Sequence, residues 1–347
     1  MEQHFTSVLN TDPTVYEEQQ AFTYPEEVDY RPPLEADPNK KSASIVFQFI
    51  KSLKIGSDLS QIASPIQADK GKSGLEYGAQ CNRVFDSVIN IHREPSAAKR
   101  MIQVVHAFLA PRTYIPLPAL NGPTKPFNSV LGEHFHCHWN HSDQSQTFSV
   151  WEQISHHPPI SAFYTWNQRN NFSMEGTAKV APIFWGNKVQ VAFYGLVRFN
   201  VFLPDGTKEV YQISLPSPTA KGILLGKSSF ELSGDMKVVC EQTGLEANLK
   251  FKSGNVVKGE ITEQYEREKN GAKKTKTRTI YEIEGSVISV CHVINVETKE
   301  KTVLYDAQTM ENLQMVVKPL AKQDVMESRR LWHHVAYNIK KQEWEEA

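Results

Sequence analysis

Apolar and polar positions alternate along Val189, Val191, Phe193, Gly195, Val197, Phe199, Val201 and Leu203, with Gln190, Arg198 and Asn200 on the opposite face. This period of two predicts one long antiparallel strand or a tightly linked pair. Similar segments predict strands at 146–155, 160–166, 208–215, 222–232, 236–241, 245–251, 256–266 and 278–290, divided by turn signals such as Pro204-Asp205-Gly206 and Lys252-Ser253-Gly254-Asn255. So many linked strands without intervening helices predict a mainly β fold. Closing a large antiparallel sheet into a β-barrel removes its edges, and a barrel of this size has room to enclose a ligand cavity.

Helical spacing flanks this region. Val46, Phe49, Ile50 and Leu53 fall on one face, and Gly56 is placed to end the helix. Ile45, Phe47 and Ile55 widen the stripe beyond one packed face, so the segment reads as a core helix or as a detachable, membrane-touching lid. A C-terminal helix is expected from about Val325, with Leu331, Trp332, Val335 and Ile339 as its apolar stripe. The resulting division is an acidic tail over 1–43 and one domain over 44–347. Within the domain, 44–66 is the lid region, 125–305 the barrel core and 325–347 the helix; no element is assigned over 67–124.

Composition adds constraints. The 347 residues are 40% hydrophobic and 22% charged, which fits a globular chain. Apolar runs fall far short of the roughly 20 residues that span a bilayer, and the first 30 residues hold no signal-like apolar stretch, so a cytosolic location is expected. Cys81, Cys137, Cys240 and Cys291 are scattered, which argues against a disulfide framework or a structural zinc site. Residues 1–40 carry nine acidic side chains against Arg31 and Lys40, a local −7, leaving about +6 on the rest of a chain whose total is −1. A basic body favours an anionic partner. The charge-dense stretch Glu266–Arg278 reads as a solvated hairpin tip.

Three stretches could carry chemistry. Ser155 beside His156 is a poor nucleophile–base pair, because neighbouring strand side chains diverge and no Gly-x-Ser-x-Gly elbow is present. His134, His136 and His138 alternate onto one strand face as metal ligands do, without a fourth ligand that can be placed. His156-His157, stiffened by Pro158-Pro159, can hydrogen-bond phosphate oxygens, with Lys125 and Asn128 supplying a cation and an amide donor. Loops without a role remain the alternative for both segments.

Resemblance narrows the choice. Glu152-Gln153-Ile154-Ser155-His156-His157-Pro158-Pro159 resembles the Glu-Gln-Val-Ser-His-His-Pro-Pro signature of the oxysterol-binding-protein-related family. The run Lys125 to Glu133 resembles its Lys-Pro-x-Asn-Pro-x-Leu-Gly-Glu, and Glu327-Ser328-Arg329-Arg330-Leu331-Trp332 its Glu-Ser-Arg-Lys-x-Trp. Gly222-Ile223-Leu224 and Glu231-Leu232-Ser233-Gly234 are further echoes, in the family's order.

The resemblance implies a large antiparallel, nearly closed β-barrel around a hydrophobic tunnel closed by an N-terminal lid, which Phe47, Phe49 and Ile50 fit. The tunnel holds a sterol or phosphatidylserine, or else phosphatidylinositol 4-phosphate, whose headgroup falls to Lys125, Asn128, His156 and His157. A lipid-transfer protein is the expectation, with a non-transporting lipid sensor or adaptor as the alternative use of the same barrel. The expected membrane association is transient and peripheral; no enzymatic step, cofactor, resident metal or nucleic acid is expected. The pattern departs from the family in having Ser129 for a proline, a change of loop stiffness. It also departs in ending at Ala347, before a further family helix whose lysine, glutamate and arginine touch the headgroup. Nor is there room for the membrane-targeting domain that precedes the barrel in long members.

Overall fold

A computed structural model describes residues 45, 48–62, 65–66, 69–114, 125–222, 229–269, 272–341 and 343. The predicted acidic tail, Phe47 and Ile223-Leu224 lie outside the described residues. The strands are β1 (Asp69–Ser73), β2 (Lys125–Phe127), β3 (His134–Asn140), β4 (Gln146–His156), β5 (Pro159–Asn167), β6 (Phe172–Phe184), β7 (Lys188–Tyr194), β8 (Val197–Phe202) and β9 (Lys208–Ser214). They continue with β10 (Ser217–Lys221), β11 (Ser229–Ser233), β12 (Asp235–Cys240), β13 (Leu245–Lys252), β14 (Val256–Lys269), β15 (Ala272–Ser286), β16 (Val290–Asn295), β17 (Lys301–Asp306) and β18 (Met315–Val316).

Among the described residues sixteen strands form one antiparallel sheet in the order β17-β16-β15-β14-β13-β12-β9-β8-β6-β5-β4-β3-β18, with β7, β10 and β11 branching from β6. The two ends of this order are not hydrogen-bonded to each other, an arrangement compatible with a nearly closed barrel. Alternation in sequence becomes alternation in burial: Phe135, Cys137 and Trp139 of β3 point inward, and β4 repeats the pattern with Ser149, Trp151 and Gln153.

The long alternating run resolves into β7 and β8, lying end to end on β6 in one register, from Phe184↔Val189 to Lys179↔Tyr194 and from Gly176↔Val197 to Phe172↔Val201. The break falls at Gly195-Leu196, where a Cβ on Gly195 would sit 1.9 Å from the Thr177 carbonyl oxygen. There the sheet forks, β7 pairing with β10 and β8 with β9.

Several expectations are corrected. Of the strand predicted over 222–232, the described part is β11, Ser229–Ser233, and a strand not predicted, β10, occupies Ser217–Lys221 with Pro218 inside it. The predicted 278–290 strand is displaced: β15 starts at Ala272 and ends at Ser286. The charged stretch 266–278 is the end of the β14–β15 hairpin, as expected, exposed at 266 and 275–278, with the ladder continuing through it out to Lys269↔Ala272. The C-terminal helix is two pieces, Ser328–Leu331 and His333–Lys341, rather than one from Val325.

The largest difference lies in the unassigned region. Residues Gly74–Ala79, the 3-10 segment Gln80–Val88 and the helix Ala97–Leu109 fill the concave side of the sheet. Met101, Val104, Val105, Ala107, Phe108 and Leu109 are buried in the last of these. Met101, Val104, Val105 and Phe108 recur at helical spacing on the buried face while Lys99, on the opposite face, is exposed, so the period of this helix is present in the sequence. Ser96 caps its start by accepting from the Lys99 amide, and the buried Arg100 pairs with Glu209 of β9 through Nε at 2.8 Å and Nη2 at 2.5 Å. Breaking one side of such a buried pair strands a charge, so this contact fixes the helix on the sheet.

Phe85 stands where segment, helix and sheet meet, its ring centroid 6.2 Å from Phe108 and 6.1 Å from both Phe172 and Phe199. Phe85→Ala is expected to lower stability by about 3–5 kcal/mol in denaturant unfolding. A loss below about 1 kcal/mol would show that this ring does not hold the helices in the sheet.

Candidate functional site

The His156-His157 corner is the turn of the β4–β5 hairpin, with His156 opposite Pro159. Ser155 Oγ donates to the Pro158 carbonyl at 2.7 Å across the turn. His156 Nδ1 lies 3.0 Å from the Ser129 carbonyl oxygen. A carbonyl only accepts, so Nδ1 carries the proton, and Nε2 accepts in the neutral ring and donates in the imidazolium. The His157 ring is 4.5 Å from that of His156 and is exposed.

Lys125 lies on β2, which pairs in parallel with β1 and places Asp69 directly opposite; the Lys125 ammonium is 2.7 Å from Asp69 Oδ1. Burial raises the Asp69 carboxyl above the usual carboxylate range, and Lys125 opposes that shift. Asn128, exposed, follows one residue after β2, and Ser129 next to it meets His156. The stretch 125–129 is thus seated against the histidine corner by a contact that spacing alone does not show.

Beneath this corner is a residue to which the sequence reading attached no role. Glu133, 0% exposed, accepts from Ser73 Oγ, from the Val130 amide at 3.1 Å, from Ser328 Oγ at 2.7 Å and from Trp332 Nε1 at 3.0 Å. Ser129 Oγ stands 3.4 Å from the same carboxylate and 3.1 Å from Ser73 Oγ, so the serine that replaces the expected proline is part of a buried network rather than a matter of loop stiffness. The Gly132 amide and Gln153 carbonyl, 2.9 Å apart, continue the β3–β4 ladder up to this point. Arg329 makes a bidentate pair with buried Glu76 at 3.1 and 2.8 Å, and Trp332 stacks on Phe127 at 4.6 Å. The second and third motifs therefore converge on one carboxylate, and the first joins them through the backbone bonds of Gln153 and the contact of His156 with the Ser129 carbonyl. The signal was the Glu133 within the second motif and the Ser328 and Trp332 within the third.

Close to the lid segment the sheet looks different. Residues 48–52 are helical; Ile50 is buried against Phe184, and Phe49, Leu53 and Leu59 pack there with Val189 and Ala220. The Gly56 amide donates to the Phe184 carbonyl at 2.7 Å and the Phe184 amide to the Ser57 carbonyl at 3.0 Å, so the segment continues the sheet where β5 stops. Between this buried patch and the buried Phe163 and Ala178, the same sheet face carries Val180, Pro182, Val191, Phe193 and Pro218, all only half-buried. An inward strip flanked by filled core on both sides retains accessible apolar surface.

His134, His136 and His138 do share the outer face of β3, half-buried. Burial, the largest influence, pushes the His136 pKa down to about 4, and His138 lies 5.6 Å from the Phe148 ring. Among the described residues no group of three His, Cys, Asp or Glu side chains could hold a metal ion. A surface depression of about 380 Å³, lined by Gln144, Gln146, Phe148, Trp166 and Arg169 among others, opens at the far end of β5 and contains none of the residues singled out by the sequence.

Removing the Glu133 carboxylate leaves donors stranded on three segments, at Ser73, at Val130 and at Ser328 with Trp332. Glu133→Ala is expected to cost about 3–5 kcal/mol in global stability and to speed amide exchange over 333–341 before the sheet opens. Unchanged exchange in that helix would show that Glu133 does not anchor it.

The chain's relatives fit this architecture. It is 32% identical over 296 residues to oxysterol-binding protein-like protein OBPa of Candida albicans, covering 85% of this chain and 66% of the relative. It is likewise 32% identical over 298 residues to oxysterol-binding protein homolog 7 of Saccharomyces cerevisiae, covering 84% and 66%. The chain thus spans about two thirds of the length of these relatives. Among solved structures, the Osh1 ORD domain in complex with ergosterol superposes with a TM-score of 0.68 at 21% identity, over 93% of this chain and 80% of that one. The Osh3 ORD of Saccharomyces cerevisiae in complex with PI(4)P gives 0.64 at 16% identity, over 92% and 82%. A family model described as Oxysterol-binding protein matches residues 47–345, and the chain belongs to that family, one of lipid-binding and lipid-transfer proteins rather than enzymes.

Proposed function

We propose that this protein carries one lipid at a time between membranes, in a tunnel between the lid segment and the helices inside the sheet. The observation that carries this reading is the half-buried apolar strip Val180, Pro182, Val191, Phe193 and Pro218, flanked by filled core. Accessible apolar surface on a concave, covered face is what a lipid tail would remove from water. An acyl chain of roughly 16 carbons costs on the order of 12 kcal/mol to expose, at about 0.8 kcal/mol per methylene, so bare desorption is slow and a covered cavity is what permits transit.

In this reading the cargo is a sterol or phosphatidylserine, exchanged for phosphatidylinositol 4-phosphate. Similar structures hold ergosterol, cholesterol or PI(4)P, which supports both cargo classes. His156, His157, Lys125 and Asn128 form the headgroup site: imidazolium and ammonium donors meet the phosphate, and the Asn128 amide adds an uncharged donor. Two ligands for one tunnel exclude each other by mass action, so a gradient of one drives net movement of the other. Ile50 and Phe49 cover the tails. Among the described residues no helix is long and apolar enough to cross a membrane, and the proposed membrane contact is peripheral and transient, from a cytosolic pool.

Transfer of labelled sterol and of phosphatidylserine between liposomes, with and without phosphatidylinositol 4-phosphate in the acceptors, tests the reading. Tight one-to-one binding without transfer would leave a lipid sensor instead. The double variant His156→Ala, His157→Ala is expected to lose inositide extraction by about a hundredfold or more, two charge-assisted hydrogen bonds at about 1.5 kcal/mol each, while sterol binding persists. Inositide extraction at the unmodified rate would remove the histidines from the headgroup site.

A further inference from the structure

The cation assigned to the headgroup is already paired. Lys125 Nζ lies 2.7 Å from Asp69 Oδ1; the Lys125 side chain is 43% exposed and that of Asp69 only 13%. The two residues are register partners in the parallel β1–β2 pair, so the backbone holds their side chains together. On the far side of β1, Ser73 bonds to Glu133, which ties the carboxylate-bearing strand to the anchored core. Asp69 is therefore a fixed internal anion beside the site, on a lysine whose side chain is partly exposed.

We propose that Asp69 is a built-in substitute for the lipid phosphate, which sets the balance between anionic and neutral cargo. The proposal rests on the headgroup reading of Lys125. While the tunnel holds a neutral lipid, the carboxylate satisfies the ammonium; when a phosphate arrives, it shares or takes over that ammonium. A phosphate oxygen bonded to Nζ at about 2.8 Å lies no more than about 5.5 Å from Asp69 Oδ1, the sum of the two contacts, so the carboxylate repels any anion that binds there. That repulsion scales with headgroup charge. It is largest for a phosphomonoester, which carries about −1.5 to −2, smaller for a phosphodiester and absent for a sterol. Asp69 thus weakens the inositide relative to its competitor, which keeps the exchange reversible.

The test replaces the charge and keeps the shape. Binding of short-chain phosphatidylinositol 4-phosphate, short-chain phosphatidylinositol and cholesterol is measured for the unmodified chain, Asp69→Asn and Asp69→Glu. Asp69→Asn is expected to tighten the phosphomonoester about three- to tenfold, the phosphodiester less and cholesterol not at all, with Asp69→Glu near the unmodified protein. Asp69→Ser repeats the measurement should the asparagine variant fold poorly. Equal gains for all three ligands, or unchanged or weaker phosphomonoester binding, would overturn the role of Asp69. If the unmodified chain binds the phosphomonoester through His156 and His157 yet Asp69→Asn changes nothing, only this proposal falls. If neither protein binds it, the headgroup reading falls too, and this proposal with it.

Discussion

The buried carboxylate of Glu133 is the constraint on which the rest of the site depends. Taking a carboxylate out of water costs several kcal/mol unless its lone pairs are filled, and here Ser73, Val130, Ser328 and Trp332 fill them. Those donors come from β1, the loop before β3, the short helix Ser328–Leu331 and the residue after it. One side chain therefore fixes the entry to the sheet, the loop bearing Asn128 and the end of the domain. The histidine corner inherits that rigidity through the contact of His156 with the Ser129 carbonyl.

A second constraint is filling. An open sheet of sixteen strands encloses more space than its own side chains occupy, and the helices between 74 and 109 take up much of it. Close packing there is strict: a Cβ on Gly78 would come within 2.8 Å of the Trp151 ring. The filling stops short of the lid segment, and Val180, Pro182, Val191, Phe193 and Pro218 of the inward strip are only partly buried. Core rules and cargo rules thus divide the same sheet. Where the helices press on it, the inward side chains are buried; in the strip near residues 48–59 the inward side chains stay only partly buried, and the proposed cargo would use that surface.

Charge is arranged on the same principle of internal partners. Arg100 has Glu209, Arg329 has Glu76 and Lys125 has Asp69, but the three pairs differ in exposure. The first two involve carboxylates with side-chain exposures of 3% and 1% and serve packing, whereas the Lys125 ammonium faces solvent at 43%. A pair that is half wet can exchange partners; one that is dry cannot without stranding a charge.

Much was legible in the chain itself. Alternating hydrophobicity determined the strands, because a sheet with one covered face admits only that period, and it located β4, β5, β9 and β12 to β14 closely. The motif residues determined which side chains deserved attention. Tertiary structure alone decided the rest. The helix Ala97–Leu109 has a legible apolar stripe, but that it packs against the sheet, with Arg100 on Glu209, is not written in that stripe. Pro218 lies in a strand although proline ordinarily signals a break. Asp69 and Lys125 stand 56 positions apart, and Glu133 and Ser328 195 apart, with nothing local to link them. Periodicity records what each residue faces; only the folded chain determines which residue it meets there.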